Sequence, residues 1–339
     1  MKKWKNSLDI HSLFLTTHKD AVGGGELYAH QIAEALDYFT DMRYYGPPPK
    51  RAFLRNHSLK TRFTHTSLMS PCDVFVSASH FRIPQPAGTH RNISVCYFPD
   101  RTHRELIKPY DTIITTSHFC ATWIKKYWNK KAHVIHPYLD AFWKYPRGNK
   151  KKPNTIINVG RFFSEPDGHG KRQDVLIEAF SRLSRRIPDA TLHLAGSVTS
   201  GPDRNFVGKL HQMAKDLGVE ENVHIHIQPD IVTLKKLYLE SEVYWHANGY
   251  KQEDPFKTEH FGIVICEAMA CGCEPIIYKH GGYEEFGCSR WEEIDELVES
   301  TVEQLTMPKP EGFDDMWVDL SSRFSKDNLF QGVRNLIQR

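Results

Sequence analysis

The sequence predicts an α/β protein built from two doubly wound, Rossmann-like domains whose sheets face each other across a cleft. Three observations carry that expectation. The 339 residues exceed the roughly 100–200 of one typical domain. Short apolar runs alternate with amphipathic stretches in repeated β-then-α order, which implies parallel sheets with helices on both faces. The basic stretch Lys144–Pro153 (KYPRGNKKKP) breaks the alternation and reads as a linker. The expected domains are therefore 1–148 and 149–339, with the last helix packing back on the first. Ligands of such sheets bind outside the carboxyl ends of the strands, so two facing sheets define one site.

In the first half, Ser12–Thr17 (SLFLTT) is the first strand-like run, followed by the glycine turn Gly23-Gly24-Gly25 and an amphipathic stretch from Glu26 to Leu36. Further apolar runs are Asp73–Ala78, Ile93–Phe98, Thr112–Thr116 and His133–His136, with a helical segment at Phe119–Trp128. Residues 46–70 are rich in Pro, Arg and His and read as loops. In the second half, strands are expected at Thr155–Val159, Thr191–Ala195, Val223–Ile227, Val243–His246 and Pro275–Tyr278. Between them Asp174–Leu183 (DVLIEAFSRL) has helical period, apolar at 175, 176, 179, 180 and 183.

Composition narrows the function classes. Hydrophobic residues make up 40% and charged residues 25%, ordinary for a globular protein. No run of about 18 apolar residues exists to span a membrane. The N-terminus has no sustained apolar core or cleavage site of a signal peptide. Seven cysteines, an odd number, point to reduced thiols and a cytoplasmic setting. Cys266, Cys271 and Cys273 cluster but lack a histidine at zinc-ligand spacing, so small buried side chains are expected there and no metal. Charge is uneven: residues 1–150 hold 22 Lys+Arg against 11 Asp+Glu, whereas 151–339 hold 22 against 30. A basic first half suits an anionic partner, such as a membrane surface on the inner face or a phosphorylated acceptor. No nucleic-acid-binding module accompanies the charge, so nucleic acid is not an expected partner.

The chemistry-bearing residues lie mostly in the second half. In Glu259-His-Phe-Gly-Ile-Val-Ile-Cys-Glu267, two carboxylates stand eight apart. A helix beginning near Phe261 places Glu259 just before it and Glu267 about two turns in. The amides of Phe261, Gly262 and Ile263 then become free donors for a diphosphate. Gly262 admits a phosphate close to the backbone. Glu267 can accept from a ribose diol, and Glu259 can meet sugar hydroxyls. Gly160-Arg161 closes a strand and Lys171 precedes a helix, two cations suited to a diphosphate and to charge developing on a leaving nucleotide. Gly24 and Gly25 offer backbone amides to a phosphate or sugar, although the triplet lacks the G-x-G-x-x-G spacing. Gly281-Gly282 is a similar, weaker feature.

Together these motifs resemble glycosyltransferase family 4, the retaining group with the GT-B fold. The pattern of a strand ending in Gly160-Arg161, Lys171 shortly before Asp174–Phe180, and Glu259 to Glu267 followed by Ala-Met-Ala-Cys-Gly272 carries the likeness. The first-half glycine turn and Thr116-Ser117-His118-Phe119 extend it over most of the chain. The wording HGKRQDVLIEAF and EHFGIVICEAMACG is similar to mannosyltransferases acting on dolichol-linked oligosaccharides and to bacterial relatives.

The resemblance implies that Arg161, Lys171 and Glu259 are catalytic, with the cations on the donor diphosphate and Glu259 on the donor sugar. It implies Glu267 on the ribose, Phe261–Ile263 amides on phosphate, and Gly24 and Gly25 against donor or acceptor. Partners would be a nucleotide-sugar donor and a glycan or lipid-linked acceptor. Apart from the resemblance, Trp123, Tyr127, Trp128, Phe142 and Trp143 in the basic half suit contact with an anionic membrane or, equally, a buried core, since Trp123 and Tyr127 stand four apart on one helix face. No cofactor or metal is expected: no Asp-x-Asp closes a strand. Two departures stand out. Tyr97 occupies the place where many relatives have an acceptor-side histidine, and Phe162–Gly170 is a longer insertion, expected to be a mobile loop over the donor. A non-catalytic nucleotide-sugar-binding scaffold and a sugar-nucleotide epimerase of the same fold are the alternative readings.

Overall fold

A computed structural model describes residues 7–11, 23–45, 63–64, 72–78, 83–86, 91–146, 148–166, 168–307 and 313–338. The chain divides into two compact units, Met1–Tyr138 with Phe324–Arg339, and Leu139–Arg323. Each is a wholly parallel α/β sheet structure.

The first unit has strands β1 (Ser7–His11), β2 (Asp41–Tyr45), β3 (Phe63–Thr64), β4 (Val74–Ser77), β5 (Arg91–Cys96), β6 (Thr112–Thr115) and β7 (Ala132–Val134). Their order is β3-β2-β1-β4-β5-β6-β7, which reverses between β1 and β4 and so has the doubly wound switch point. Ser12–Thr17 lies outside the described residues; the described first strand comes earlier. Most of 46–70 is also outside them, apart from β3.

Helix α1 (Gly24–Phe39) opens at Gly23, where the Glu26 carboxylate turns back to accept from the Gly23 amide at 3.0 Å. That bond satisfies a donor the helix leaves open and puts negative charge at the positive end of the dipole. Tyr28, Ile32 and Leu36, four apart, bury one face, and the Tyr28 hydroxyl donates to the Ile135 carbonyl at 2.6 Å. Helix α2 (His118–Trp128) is capped by Ser117, whose hydroxyl accepts from the Cys120 amide at 3.2 Å, and stops at Asn129 in the left-handed region.

The second unit has β8 (Thr155–Val159), β9 (Thr191–Gly196), β10 (Val223–Ile227), β11 (Val243–His246), β12 (Glu274–Tyr278) and β13 (Ser289–Trp291), ordered β10-β9-β8-β11-β12-β13. Its helices are α3 (Gln173–Leu183), α4 (Gly201–Asp216), α5 (Ile231–Glu240), α6 (Ile263–Ala270), α7 (Ile294–Thr306) and α8 (Phe313–Arg323). One core runs from Ile156 and Phe162 through Phe180 and Leu194 to Trp245 and Trp291. Trp245 enters it fully because its indole N–H finds the Thr301 hydroxyl at 2.8 Å.

The last helix, α9 (Lys326–Ile337), belongs to the first unit, where Leu329, Val333, Leu336 and Ile337 join the core of α1. The division at Tyr138/Leu139 lies ahead of the linker-like stretch. The reason is local: the Tyr145 amide donates to the Ala270 carbonyl at 3.0 Å, and Trp143 packs edge-on against Tyr238. Lys151 donates to the Tyr238 carbonyl at 2.9 Å and the Cys271 carbonyl at 2.6 Å, so this basic segment is tied to the second unit. Among the described residues no helix is long and apolar enough to cross a membrane.

Candidate functional site

Around the carboxyl ends of β8 and β11, the second unit gathers most of the chemistry. Glu259 is its centre. Its Oε2 accepts from Lys171 Nζ at 3.0 Å, His246 Nε2 at 3.1 Å and Asn248 Nδ2 at 3.1 Å. The other oxygen, Oε1, accepts from the His260 amide at 3.2 Å. Only 12% of the Glu259 side chain is exposed; this burial opposes its charge, yet Lys171 and His246 hold its carboxyl well below the usual range. The network is therefore a buried, ionised carboxylate.

Backbone close approach fixes that carboxylate in place. Glu259 bridges to Gly281, and the Gly282 amide donates to the Glu259 carbonyl at 2.6 Å. A Cβ on Gly281 would overlap the Glu259 carbonyl oxygen, and one on Gly282 the His260 carbonyl oxygen. The glycine pair after β12 thus serves to let two backbones meet.

Arg161 follows β8 directly. Its neighbour Gly160 lies against the Lys171 stem, where an added Cβ would come to 2.9 Å of Cγ. The Arg161 guanidinium covers the Phe163 ring at 4.3 Å, and its buried Nε has no hydrogen-bond partner among the described residues. That nitrogen is suited to receive an anion's oxygen, while the Asp203 carboxylate lies in the field of the guanidinium. Lys171 is set by an unusual neighbour: Arg172, with φ of 55°, caps α3 in the left-handed region. That conformation is disfavoured for a bulky residue, and bonds from the Arg172 guanidinium to both Asp174 oxygens at 3.1 Å and to the Tyr250 carbonyl at 3.2 Å hold it.

Helix α6 starts two residues later than the sequence suggested. Gly262, with φ of 91°, is its cap in the left-handed region, so Ile263 is its first residue. Phe261 lies before the helix, with its ring buried against Phe286 at 5.3 Å between centroids. Among the described residues the Ile263 and Val264 amides have no acceptor within the helix, whereas those of Ile265 and Cys266 donate to the Gly262 carbonyl at 2.9 and 3.2 Å. Helix α6 is apolar on nearly every side, which buries it and carries Glu267 in with it. Burial, with Asp140 adding like charge, pushes the Glu267 carboxyl up to about 8. The Tyr244 phenol is raised by burial and then by both Glu259 and Glu267, which places it in the field of the two carboxylates.

Arg161, Lys171, Glu259, Phe261, Gly262, Ile263 and Glu267 thus all stand in the second unit. Gly24 and Gly25 stand in the first, where they form the first turn of α1 instead of a loop. Sequence reasoning missed His246 and Asn248. Their signal was the polar pair in Trp245-His-Ala-Asn248 directly after an apolar strand run.

Three expectations change. The Phe162–Gly170 insertion is a folded turn: Ser164 bridges to Gly170, the Glu165 amide donates to the His169 carbonyl at 2.8 Å, and Phe162 is core. Tyr97 is core too, donating to the Ala78 carbonyl at 3.1 Å and packing edge-on against Tyr28. Trp128 and Trp143 are buried, so they leave the set of candidate membrane aromatics. The cysteines follow the expectation of small buried side chains: Cys271 and Cys273 are buried, with thiols directed at the Trp143, Tyr238 and Ser241 carbonyls.

Comparison with known proteins places this arrangement. Residues 141–290 match the family model of the glycosyl transferases group 1. The chain is 28% identical over 160 residues to the human GDP-Man:Man(3)GlcNAc(2)-PP-Dol alpha-1,2-mannosyltransferase, covering 44% of this chain and 30% of that protein. It is 34% identical over 122 residues to a GDP-mannose-dependent alpha-(1-6)-phosphatidylinositol monomannoside mannosyltransferase of Mycolicibacterium smegmatis, covering 34% of this chain and 28% of that protein. The chain thus spans about a third or less of the length of the curated relatives it matches. Fold likeness reaches further. HepE of Anabaena, solved with UDP and glucose, superposes with a TM-score of 0.70 at 16% identity, over 98% of this chain and 99% of that one. A glycosyltransferase from Rickettsia africae gives 0.72 at 14% identity, over 98% and 97%. Residues 141–290 thus match the glycosyl transferases group 1, and the fold of the chain is that of GT-B glycosyltransferases.

Proposed function

We propose that this chain transfers a hexosyl unit, of mannose or glucose type, from a nucleotide-diphosphate sugar to a hydroxyl of a glycan or lipid-linked glycan, with retention and without a metal. The observation that carries the reading is the buried Glu259 carboxylate ion-paired to Lys171 at strand ends, beside the α6 N-terminus. In this reading Arg161 and Lys171 neutralise the diphosphate, and the α6 amides add the helix dipole. Glu259 Oε1, the less engaged oxygen, accepts from a sugar hydroxyl, and Glu267 from the ribose. The acceptor oxygen bonds to the anomeric carbon on the face that the diphosphate leaves, and its proton passes to a departing phosphate oxygen. Such a step needs charge stabilisation and positioning, but no carboxylate nucleophile of the kind retaining glycosidases use.

A thermal-shift panel of UDP, GDP, ADP and their sugar conjugates, without metal, tests the donor site. A ligand that binds only the folded state raises Tm by mass action. One nucleotide family is expected to stabilise the protein and so identify the base; no shift with any of them in a folded sample rejects the reading. Turnover is expected to survive EDTA. Loss with EDTA and rescue by manganese overturns the metal-independent part.

Membrane docking is assigned to the outer face of α2. Phe119 and Trp123 stand there four apart and half-buried, with Lys126 over the Trp123 ring at 4.2 Å, while Tyr127, one turn on under Arg101, packs against the core with its hydroxyl buried. Aromatic rings interleaved with cations suit an anionic headgroup layer. Flotation with anionic vesicles at low salt is expected to carry the protein upward, and failure to float counts against this surface.

A further inference from the structure

Glu259 is held by more donors than an ion pair requires. Three nitrogens converge on Oε2 within 3.0–3.1 Å, one from a lysine and two from groups at and just after the end of β11. They differ in kind. Lys171 sits on a flexible stem, and its side chain keeps 25% of its surface exposed. His246 ends β11 and Asn248 opens the turn after it, and both are buried. The His246 carbonyl accepts from the Trp291 indole at 3.0 Å, and the neighbouring Trp245 carbonyl accepts from Asn158 Nδ2 at 2.8 Å.

An anionic donor would draw the Lys171 ammonium toward its phosphates. The carboxylate would then lose its cation while still buried, a costly state unless neutral donors remain. We propose that His246 and Asn248 are the positioning residues of Glu259, holding its Oε2 in place when Lys171 swings to an anionic donor. This rests on the donor-site reading above.

The histidine is suited to the role. Its Nδ1 is buried with no partner among the described residues, so the tautomer that fits carries its proton on Nε2 and donates it to Glu259. Burial disfavours the imidazolium, so His246 donates without adding a cation that would compete with Lys171 for phosphate. The other groups about Glu259 are the His260 amide on Oε1, the His260 imidazole, whose Nε2 lies on the Pro255 carbonyl, the Gly282 amide on the Glu259 carbonyl, and the buried Tyr244 phenol on β11 itself. None of these reaches Oε2 in the structure.

The test imitates the swing by removing the lysine. In the full chain, 13C-NMR follows the Glu259 carboxyl through a pH titration in K171M and in K171M/H246F, with E259Q assigning the signal. The proposal expects the midpoint in the double variant at least about one pH unit above that in K171M, because a donor to the charged form is gone. Equal midpoints overturn it. In the otherwise native chain, H246F is expected to lose at least about tenfold in kcat with donor Kd changed less than about threefold, and H246Q to recover most of the loss. An unchanged kcat, or kcat and donor affinity falling together with the midpoint unmoved, also overturns it. Should H246F not fold by circular dichroism, N248L carries the same two readouts. A native chain that transfers no sugar refutes the donor-site reading, while the titration still decides whether His246 holds Glu259.

Discussion

Replacing Glu267 by glutamine is expected to stabilise the ligand-free protein in alkaline buffer and to do little in acid. The buried Glu267 carboxyl stands at about 8, against about 4.3 for an exposed glutamate. Between those values the folded chain binds one proton more than the unfolded chain, so stability falls as pH rises through this window. Each pH unit costs about 1.4 kcal/mol, and the whole interval about 5 kcal/mol. Glutamine keeps the shape and cannot ionise. The stability difference between E267Q and the native chain should open from near zero at pH 4 to about 3–5 kcal/mol at pH 8.5. Urea unfolding followed by tryptophan fluorescence reads it, because Trp245 and Trp291 lie in the same unit. A difference that does not change with pH, or a less stable E267Q at pH 8.5, refutes the assignment of a proton to this buried carboxyl. The site gives the effect a second face: a ribose diol donates best to a carboxylate, so donor affinity should rise with pH up to about 8.

Other consequences are more direct. K171A and E259A are each expected to abolish transfer while far-UV circular dichroism stays native; an active K171A removes the diphosphate role from Lys171. G282A forces a Cβ onto the His260 carbonyl oxygen, so it should cost about 1–3 kcal/mol and reduce donor binding, read by Tm and thermal shift. Native stability and binding in G282A would show that the two backbones need not meet this closely. Removing Lys326–Arg339 strips Leu329, Val333, Leu336 and Ile337 from the first unit's core. At about 1.5–3 kcal/mol per buried side chain, this approaches the whole stability of a domain. Hydrogen exchange should then show loss of protection in α1 with α3 and α7 still protected; full protection of α1 contradicts the packing.

The second half was more legible than the first. Its expected strands coincide with β8 to β12 within a residue or so, because β8, β11 and β12, buried on both faces, read as short mostly apolar runs, whereas β9 and β10 alternate apolar residues with histidine. Strand β13, only Ser289–Trp291, was missed, since two of its three residues are exposed. Strand β2 was missed as well, because Asp41-Met-Arg-Tyr-Tyr45 carries charge at alternate positions and no apolar run. The site divided in the same way. Glu259, Gly262 and Glu267 share one short motif, and Arg161 and Lys171 are near in sequence, so local spacing was enough to single them out. His246 and Asn248 reach Glu259 across 13 and 11 residues through a strand-to-loop passage, and no spacing rule covers such a return.

What the sequence determined by itself was periodic: two α/β halves, the order of their elements, and a motif with two carboxylates beside a helix start. Periodicity and turn chemistry act between near neighbours, and the chain states them directly. Tertiary structure alone decided the environment of each charge. Glu259 and Glu267 are the same residue type eight positions apart, yet three converging donors keep one an anion and burial beside Asp140 keeps the other protonated near neutral pH. It likewise decided that α9 completes the first unit, because Leu329 and Val333 find their apolar partners on α1, almost three hundred residues earlier in the chain. Solvation and long-range packing depend on which atoms surround a group in space, and only the folded chain supplies those.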